Sequence, residues 1–264
     1  MSLSNLCYTV ALDRPDEDFH RKMARLLVLS LLRTNWHGKI VVFRNGPLPA
    51  LPEGHAAVEE IRLEASPEAI WHRTVSWKYR VRDQLDLTGV GKVLFLDCDC
   101  IALREINYLV AGAWDLYTAP EPLSVVDFAF NGYLRDEEMA SLGDLPGLNS
   151  GAMGIRSEHY RDVMAEWERL DAIEPLRTPR HRNQHSWNRL VLDTSLRRRD
   201  FLPADVQYPL VHHTPYWNTR RAALVHAAGG SPADKLALLF GLWMDAFEVS
   251  RLDEHASLPE AADS

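Results

Sequence analysis

Two aspartates one residue apart close the segment Val93-Leu-Phe-Leu-Asp97-Cys98-Asp99-Cys100. The apolar run before them has strand length and no polar face, so it reads as a strand buried on both sides. Carboxylates at its C-terminal end stand where open α/β sheets bind ligands. Two hard oxygen donors in that position suit Mg²⁺ or Mn²⁺ bridging a diphosphate. A lone Asp-x-Asp also ends strands as a pair of solvated turn residues, so further chemistry is needed to decide. Three segments supply it. Leu148-Asn149-Ser150-Gly151 sets two hydrogen-bonding side chains and a glycine before an apolar strand, where a ligand can approach the backbone closely. Asn183-Gln184-His185-Ser186-Trp187-Asn188 opens a helix with amide side chains on its first turn, beside unpaired backbone N–H groups. Val225-His226-Ala-Ala-Gly229-Gly230 ends a late strand in a histidine and a glycine pair.

The elements that must position these residues follow from periodicity. Leu6–Ala11 predicts a strand ending at Asp13, and Phe19, Met23, Leu26, Leu27 and Leu31 share one face of a helix that Gly38 stops. Strands follow at Lys39–Phe43 and Val58–Leu63, a helix at Ser76–Leu87, and the strand Lys92–Asp97. Beyond it come strands at Trp114–Thr118 and Gly151–Ile155, a loop region at 120–147, and helices at Glu158–Leu170 and Gln184–Leu192. A basic loop, Arg177–Arg182, separates those helices, and short strands follow near Val206–Tyr208 and Ala222–His226. Pro232–Val249 predicts a last helix with Leu236, Leu239, Phe240, Trp243 and Phe247 facing the core. The acidic Leu252–Ser264 reads as a frayed tail, which leaves 1–251 as one α/β domain with a mostly parallel sheet.

Composition narrows the ligand. The 264 residues carry 29 Lys and Arg against 37 Asp and Glu, a formal charge of −8, and no basic block that would neutralise a phosphate backbone, so nucleic acid is excluded as a partner. No basic leader with an apolar run opens the chain, and nowhere do about 18 apolar residues occur in succession, so no transmembrane segment is expected and the protein reads as cytoplasmic. The three cysteines, Cys7, Cys98 and Cys100, are too few and badly spaced for a disulfide framework, and reduced thiols fit that compartment.

Taken in order, the DxD, the Asn-Ser-Gly segment, the Gln-containing helix start and the late histidine resemble the family 8 glycosyltransferases, the glycogenin and lipopolysaccharide galactosyltransferase group. The resemblance implies a GT-A fold: a Rossmann-like, mostly parallel central sheet flanked by helices. It also implies transfer of a sugar from a nucleoside diphosphate, UDP in that family, to a hydroxyl acceptor with retention. Asp97, Asp99 and His226 would ligate Mn²⁺, with Mg²⁺ the alternative. Val10, Ala11 and Asp13 would meet the nucleoside. Of Lys78, Arg80 and Arg82, any of which would meet the donor phosphate or sugar, Lys78 comes first because it lies at the helix start nearest the crevice, with Arg82 beside it; Cys98, Asn149, Ser150, Gly151 and Gly229 would complete the donor site. Gln184 would lie on the β-face of the sugar and steady a developing oxocarbenium ion.

Two departures accompany these expectations. Asn183 and His185 stand where the family commonly has acids, leaving no obvious nucleophile. Lys235 lies nine residues after His226, without the family's Lys-Pro-Trp run, and reads as a helix-surface lysine. Trp71, Trp77, Trp187, Trp217, Tyr216 and the pair His212-His213 fall near presumed crevice loops, where an aromatic acceptor platform competes with ordinary packing. Two other readings share the DxD. One is a haloacid-dehalogenase-like phosphatase with Asp97 as nucleophile, disfavoured because that motif usually lies near the N-terminus and precedes Thr or Val. The other is a nucleotide-sugar-binding protein without turnover.

Overall fold

A computed structural model describes residues 4–51, 57–64, 76–124, 138, 145–173, 182–200, 206–207, 222–227 and 229–248. Trp71, the aromatic stretch 212–217, positions 177–181 of the basic loop and the 252–264 tail lie outside these residues. The chain opens with β1 (Ser4–Ala11), α1 (Phe19–Arg33), β2 (Gly38–Arg44) and β3 (Val58–Arg62). It continues through α2 (Trp77–Arg80), β4 (Val90–Leu96), β5 (Cys100–Ala102), β6 (Leu116–Ser124), β7 (Pro146–Arg156) and α3 (Ser157–Ile173). The last elements are α4 (Arg182–Asp193), β8 (Arg198–Asp200), β9 (Val206–Gln207), β10 (Leu224–His226) and α5 (Pro232–Trp243).

Seven strands form the main sheet in the order β3-β2-β1-β4-β7-β6-β8. The run β3-β2-β1-β4 is parallel, β7 is antiparallel to both its neighbours, and β8 is parallel to β6. The sheet is buried on both faces because its strands alternate apolar residues to either side. Leu6, Tyr8, Val93 and Phe95 pack with α3 and α4, while Cys7, Ala11, Leu94 and Leu96 pack with α1 and α5. From β1 the chain steps outward to β2 and β3, then returns to lay β4 on the other flank of β1. That reversal opens a crevice beyond the C-terminal ends of β1 and β4, the place where such sheets take ligands.

Several boundaries differ from expectation for local reasons. Helix α1 ends at Arg33 because Asn35 takes a left-handed φ of 56°, a C-terminal stop that asparagine tolerates. Gly38 instead opens β2, where a β-carbon would lie 2.9 Å from the indole nitrogen of Trp36 and press on the Asn5 carbonyl. The helix expected at Ser76–Leu87 is one α-turn, α2, followed by a 3₁₀ turn at Val81–Gln84. Strand β7 begins at Pro146, so Asn149, Ser150 and Gly151 lie inside a strand. In α5 the buried side is Leu239, Leu242 and Trp243, whereas Phe240 is 54% exposed and leaves the expected stripe.

The short strands β5, β10 and β9 form a second sheet, in that order. Strand β10 runs antiparallel to β5 with His226 opposite Cys100. The buried hydroxyl of Ser30 on α1 accepts from the Ala102 amide at 3.0 Å and anchors β5.

Candidate donor and metal site

Beyond β4 the backbone turns at once. The Cys100 amide donates to the Asp97 carbonyl at 3.0 Å, closing a four-residue turn that carries both carboxylates. The turn then becomes β5, and β10 delivers His226 beside it by register. His226 Nε2 lies 3.2 Å from Asp99 Oδ1 and 3.7 Å from Asp97 Oδ2. The Ala227 amide donates to the Asp99 carbonyl at 2.9 Å and tightens the join.

Two lysines face the two aspartates. Lys78 on α2 donates from Nζ to Asp97 Oδ2 at 2.8 Å and to the Ser150 carbonyl at 3.1 Å, and its ammonium sits 5.2 Å from the centre of the Phe95 ring. Lys235, on the first turn of α5, donates to Asp99 Oδ2 at 2.6 Å. Burial opposes ionisation of Asp99, but the His226 imidazole and the Lys235 ammonium outweigh it and hold the carboxyl far below the usual range. Lys235 is raised above its ordinary value: burial works against the charge, and Asp99 overcomes it. Burial also pushes the Cys98 and Cys100 thiols well up, so neither offers a thiolate near neutral pH.

Gly151 forms the floor. Opposite the step from Thr118 to Ala119, β7 runs from Met153 to Asn149, so 150–152 bulge out of the β6 pairing. The bulge sends the Gly151 carbonyl to the Asp97 amide at 2.7 Å, and Asn149 Oδ1 braces it by accepting from the Gly151 amide at 2.6 Å. A β-carbon at Gly151 would lie 2.7 Å from both Asp97 Oδ2 and His226 Nδ1, and closer still to His226 Cε1.

The residues fit a divalent cation. Asp99 Oδ1 is buried without a well-aligned hydrogen bond, and the imidazole beside it adds a nitrogen donor. Gly151 keeps their surroundings free of a side chain. Among the described residues, Asp99, Cys100 and His226 offer ligand atoms that all lie within 4.8 Å of one another. Asp97 stands at the edge of that group, within reach of His226 and tied to Lys78. Carboxylate and imidazole together suit Mn²⁺ better than Mg²⁺.

With this geometry in view, the chain can be set beside known proteins. No protein-family model matches it, and no curated protein matches it. The solved apo structure of the WbbM bifunctional glycosyltransferase does match, with a TM-score of 0.60 and 13% identity over 94% of this chain. The chain has a GT-A glycosyltransferase fold. It spans about half of WbbM, 52% of that chain. WbbM is one of 352 solved chains that match, so the likeness identifies a widely shared architecture.

Within the GT-A fold the other singled-out residues separate clearly. Val10 and Ala11 end β1 at the crevice. The Asp13 carboxylate, buried just beyond, accepts from the backbone amides of His20 and Arg21 at 2.8 and 3.1 Å and from Arg21 Nε at 2.8 Å. It therefore caps α1. Arg82 turns away from the carboxylates to Glu168 on α3 at 2.6 Å, and Arg80 faces the same residue at 3.8 Å, so Lys78 alone of the three reaches them. Cys98 is buried inside the turn, and Gly229 follows β10 with a φ of 69°. Gln184 lies half-buried on the first turn of α4, while Asn183 and His185 beside it are buried. The Trp167 indole donates to the Asn183 carbonyl at 3.0 Å, and Trp187 is a core residue whose ring lies 5.0 Å from that of Trp167, tilted by 49°.

Lys235 is the residue that sequence reasoning misplaced: it faces Asp99 instead of covering a helix surface. A signal was present in Ser231-Pro-Ala-Asp234, a capping box that starts α5 five residues after His226 and turns its first residues toward the DxD. Asn188, in the same helix start as Gln184, has a role that its type and spacing did not announce. Its amide accepts from the Leu148 N–H and donates to the Leu148 carbonyl, both at 2.8 Å, tying α4 to β7 one residue before Asn149.

Proposed function

We propose that the protein is a metal-dependent glycosyltransferase that moves a sugar from a nucleoside diphosphate, UDP by the family 8 resemblance, to a hydroxyl acceptor with retention. The observation that carries this reading is the convergence of the DxD turn, His226 and two lysines at the switch-point crevice of a GT-A fold. Asp97, Asp99 and His226 would hold a divalent cation, Mn²⁺ by preference, which when bound would offset charge on the departing diphosphate. Lys78 and Lys235 bring positive charge to the same phosphate oxygens. Val10, Ala11 and Asp13 border the nucleoside, with the Asp13 carboxylate acting through the α1 terminus that it caps. Cys98 shapes the turn, and Asn149, Ser150, Gly151 and Gly229 border the diphosphate and sugar.

Gln184 presents a neutral amide to the sugar. Asn183 and His185 stand beside Gln184 where the family commonly has acids, so among the described residues the first turn of α4 carries no nucleophilic carboxylate. Same-face attack follows, in which a phosphate oxygen of the departing diphosphate takes the acceptor's proton. The cytoplasm is the compartment that fits three buried, unpaired cysteines. Among the described residues no helix is long and apolar enough to cross a membrane.

The test is calorimetric titration with UDP in Mn²⁺ and in EDTA, followed by hydrolysis of UDP-sugars without acceptor. Binding should require Mn²⁺, and slow hydrolysis should single out one sugar. Rapid turnover of p-nitrophenyl phosphate with Mg²⁺ would overturn the reading in favour of a phosphatase. Tight UDP-sugar binding without turnover on any acceptor would point to a binding protein, and a trapped glycosyl-enzyme adduct would exclude same-face attack.

A further inference from the structure

The two site lysines are held very differently. Lys78 is walled in: its side chain is 8% exposed, and its ammonium meets Asp97, the Ser150 carbonyl and the Phe95 ring. Lys235 is 22% exposed and its ammonium hydrogen-bonds to Asp99 alone among the described residues. Asp99 thus has the Lys235 ammonium bonded to Oδ2, while the His226 ring stands 3.2 Å from Oδ1. Two carboxylates and two ammoniums cancel in formal charge, so a divalent cation entering by itself meets a neutral site with an ammonium already on its best ligand. Bringing like charges together there is costly because the groups are buried.

We propose that Lys235 is a movable counter-ion that holds the cation's place on Asp99 until a diphosphate draws it away. The cation and the nucleotide then bind cooperatively, each weakly without the other. The inference rests on the donor reading above and adds an order to it. A diphosphate brings several negative oxygens to the crevice, and a compact ammonium on a flexible stem can swing from one carboxylate to them. Asp99 is then released to the metal. Lys78, fixed by three neighbours, remains as a stationary charge. The stem of Lys235 leaves the rigid first turn of α5, so the exchange needs only side-chain rotation.

Linkage makes the idea measurable, because the factor by which UDP tightens Mn²⁺ must equal the factor by which Mn²⁺ tightens UDP. Free Mn²⁺ can be followed by its paramagnetic resonance signal during titration of the full chain, with and without saturating UDP. In the wild-type protein UDP should tighten Mn²⁺ by roughly tenfold or more, within the usual range of such couplings. In Lys235→Met, Mn²⁺ alone should bind about tenfold tighter than in the wild type, and the coupling should shrink by the same factor. A plain phosphate contact predicts otherwise: the variant would lose UDP affinity with no gain for Mn²⁺, and that result would overturn the proposal. Equal Mn²⁺ affinity with and without UDP in the wild type would overturn it too, even if the variant did not fold. Absence of any UDP binding at saturating Mn²⁺ would defeat the donor reading itself, whereas uncoupled binding of both would defeat only the exchange.

Discussion

At the scale of single residues, the site depends on what Gly151 lacks. Its hydrogen occupies a gap between Asp97 and His226 in which a methyl group would overlap both. Gly151→Ala should therefore cost about 1–3 kcal/mol of stability, as overpacking does. Its larger effect should be on Mn²⁺-dependent UDP binding, because the atoms displaced are the candidate ligands. Calorimetry at a temperature where the variant is folded separates the two, and near-normal UDP affinity would show that the gap is not needed. The need for glycine was legible as a flag, since Asn149-Ser150-Gly151 precedes an apolar run. Its cause was not. The overlap with the imidazole arises because β10, far along the chain, carries His226 to Cys100 and thus to Gly151.

At the scale of elements, two connections place the side chains. Ser231 and Asp234 close a capping box at the start of α5, with Ser231 Oγ accepting from the Asp234 amide at 3.2 Å. Ser231→Ala should cost about 1 kcal/mol, which in a chain of this size lowers the melting temperature by about 2–4 °C. It should also weaken Mn²⁺-dependent UDP binding, since the box orients the turn that bears Lys235. The second connection is the Asn188 amide on Leu148. Asn188→Leu leaves a buried N–H and a buried carbonyl unpaired, and about 2–4 kcal/mol should be lost in denaturant unfolding at unchanged slope. These connections explain which elements could be read from the chain. Strand β4, α1 and the opening β-α-β-β order came from runs of local periodicity. Strands β9 and β10 were legible as well, near Val206–Tyr208 and Ala222–His226, but β5 and the joining of the three into a second sheet were not, because strands of two or three residues carry no period that marks their partners. Phe240 misled for the opposite reason: it satisfies the helical spacing, yet Leu242 takes the buried position.

At the scale of the whole molecule, charge is spent locally. The excess of acids behind the net −8 includes carboxylates that are locked in pairs. Asp13, which burial alone would raise, is held at about 2 by the His20 and Arg21 hydrogen bonds. Asp115 is held at about 2 chiefly by the Arg197 guanidinium. Both folded-state values lie below the unfolded one, so their stabilisation is complete above about pH 4 and is lost as pH falls toward about 2. Thermal unfolding across that window should show a falling midpoint, and Asp13→Asn should flatten the fall; an unchanged slope would remove Asp13 from the account. The second sheet has a further consequence. It bears Asp99's partner His226 and meets the main sheet at the DxD turn, so the ligands straddle a seam. At the end of the β5–β10 ladder that joins this turn, the Ala227 amide donates to the Asp99 carbonyl at 2.9 Å. That proton is a natural reporter of occupancy: if one ion and one nucleotide stitch both sheets together, its exchange with deuterated solvent should slow on loading while that of the β1–β2 ladder stays as it was.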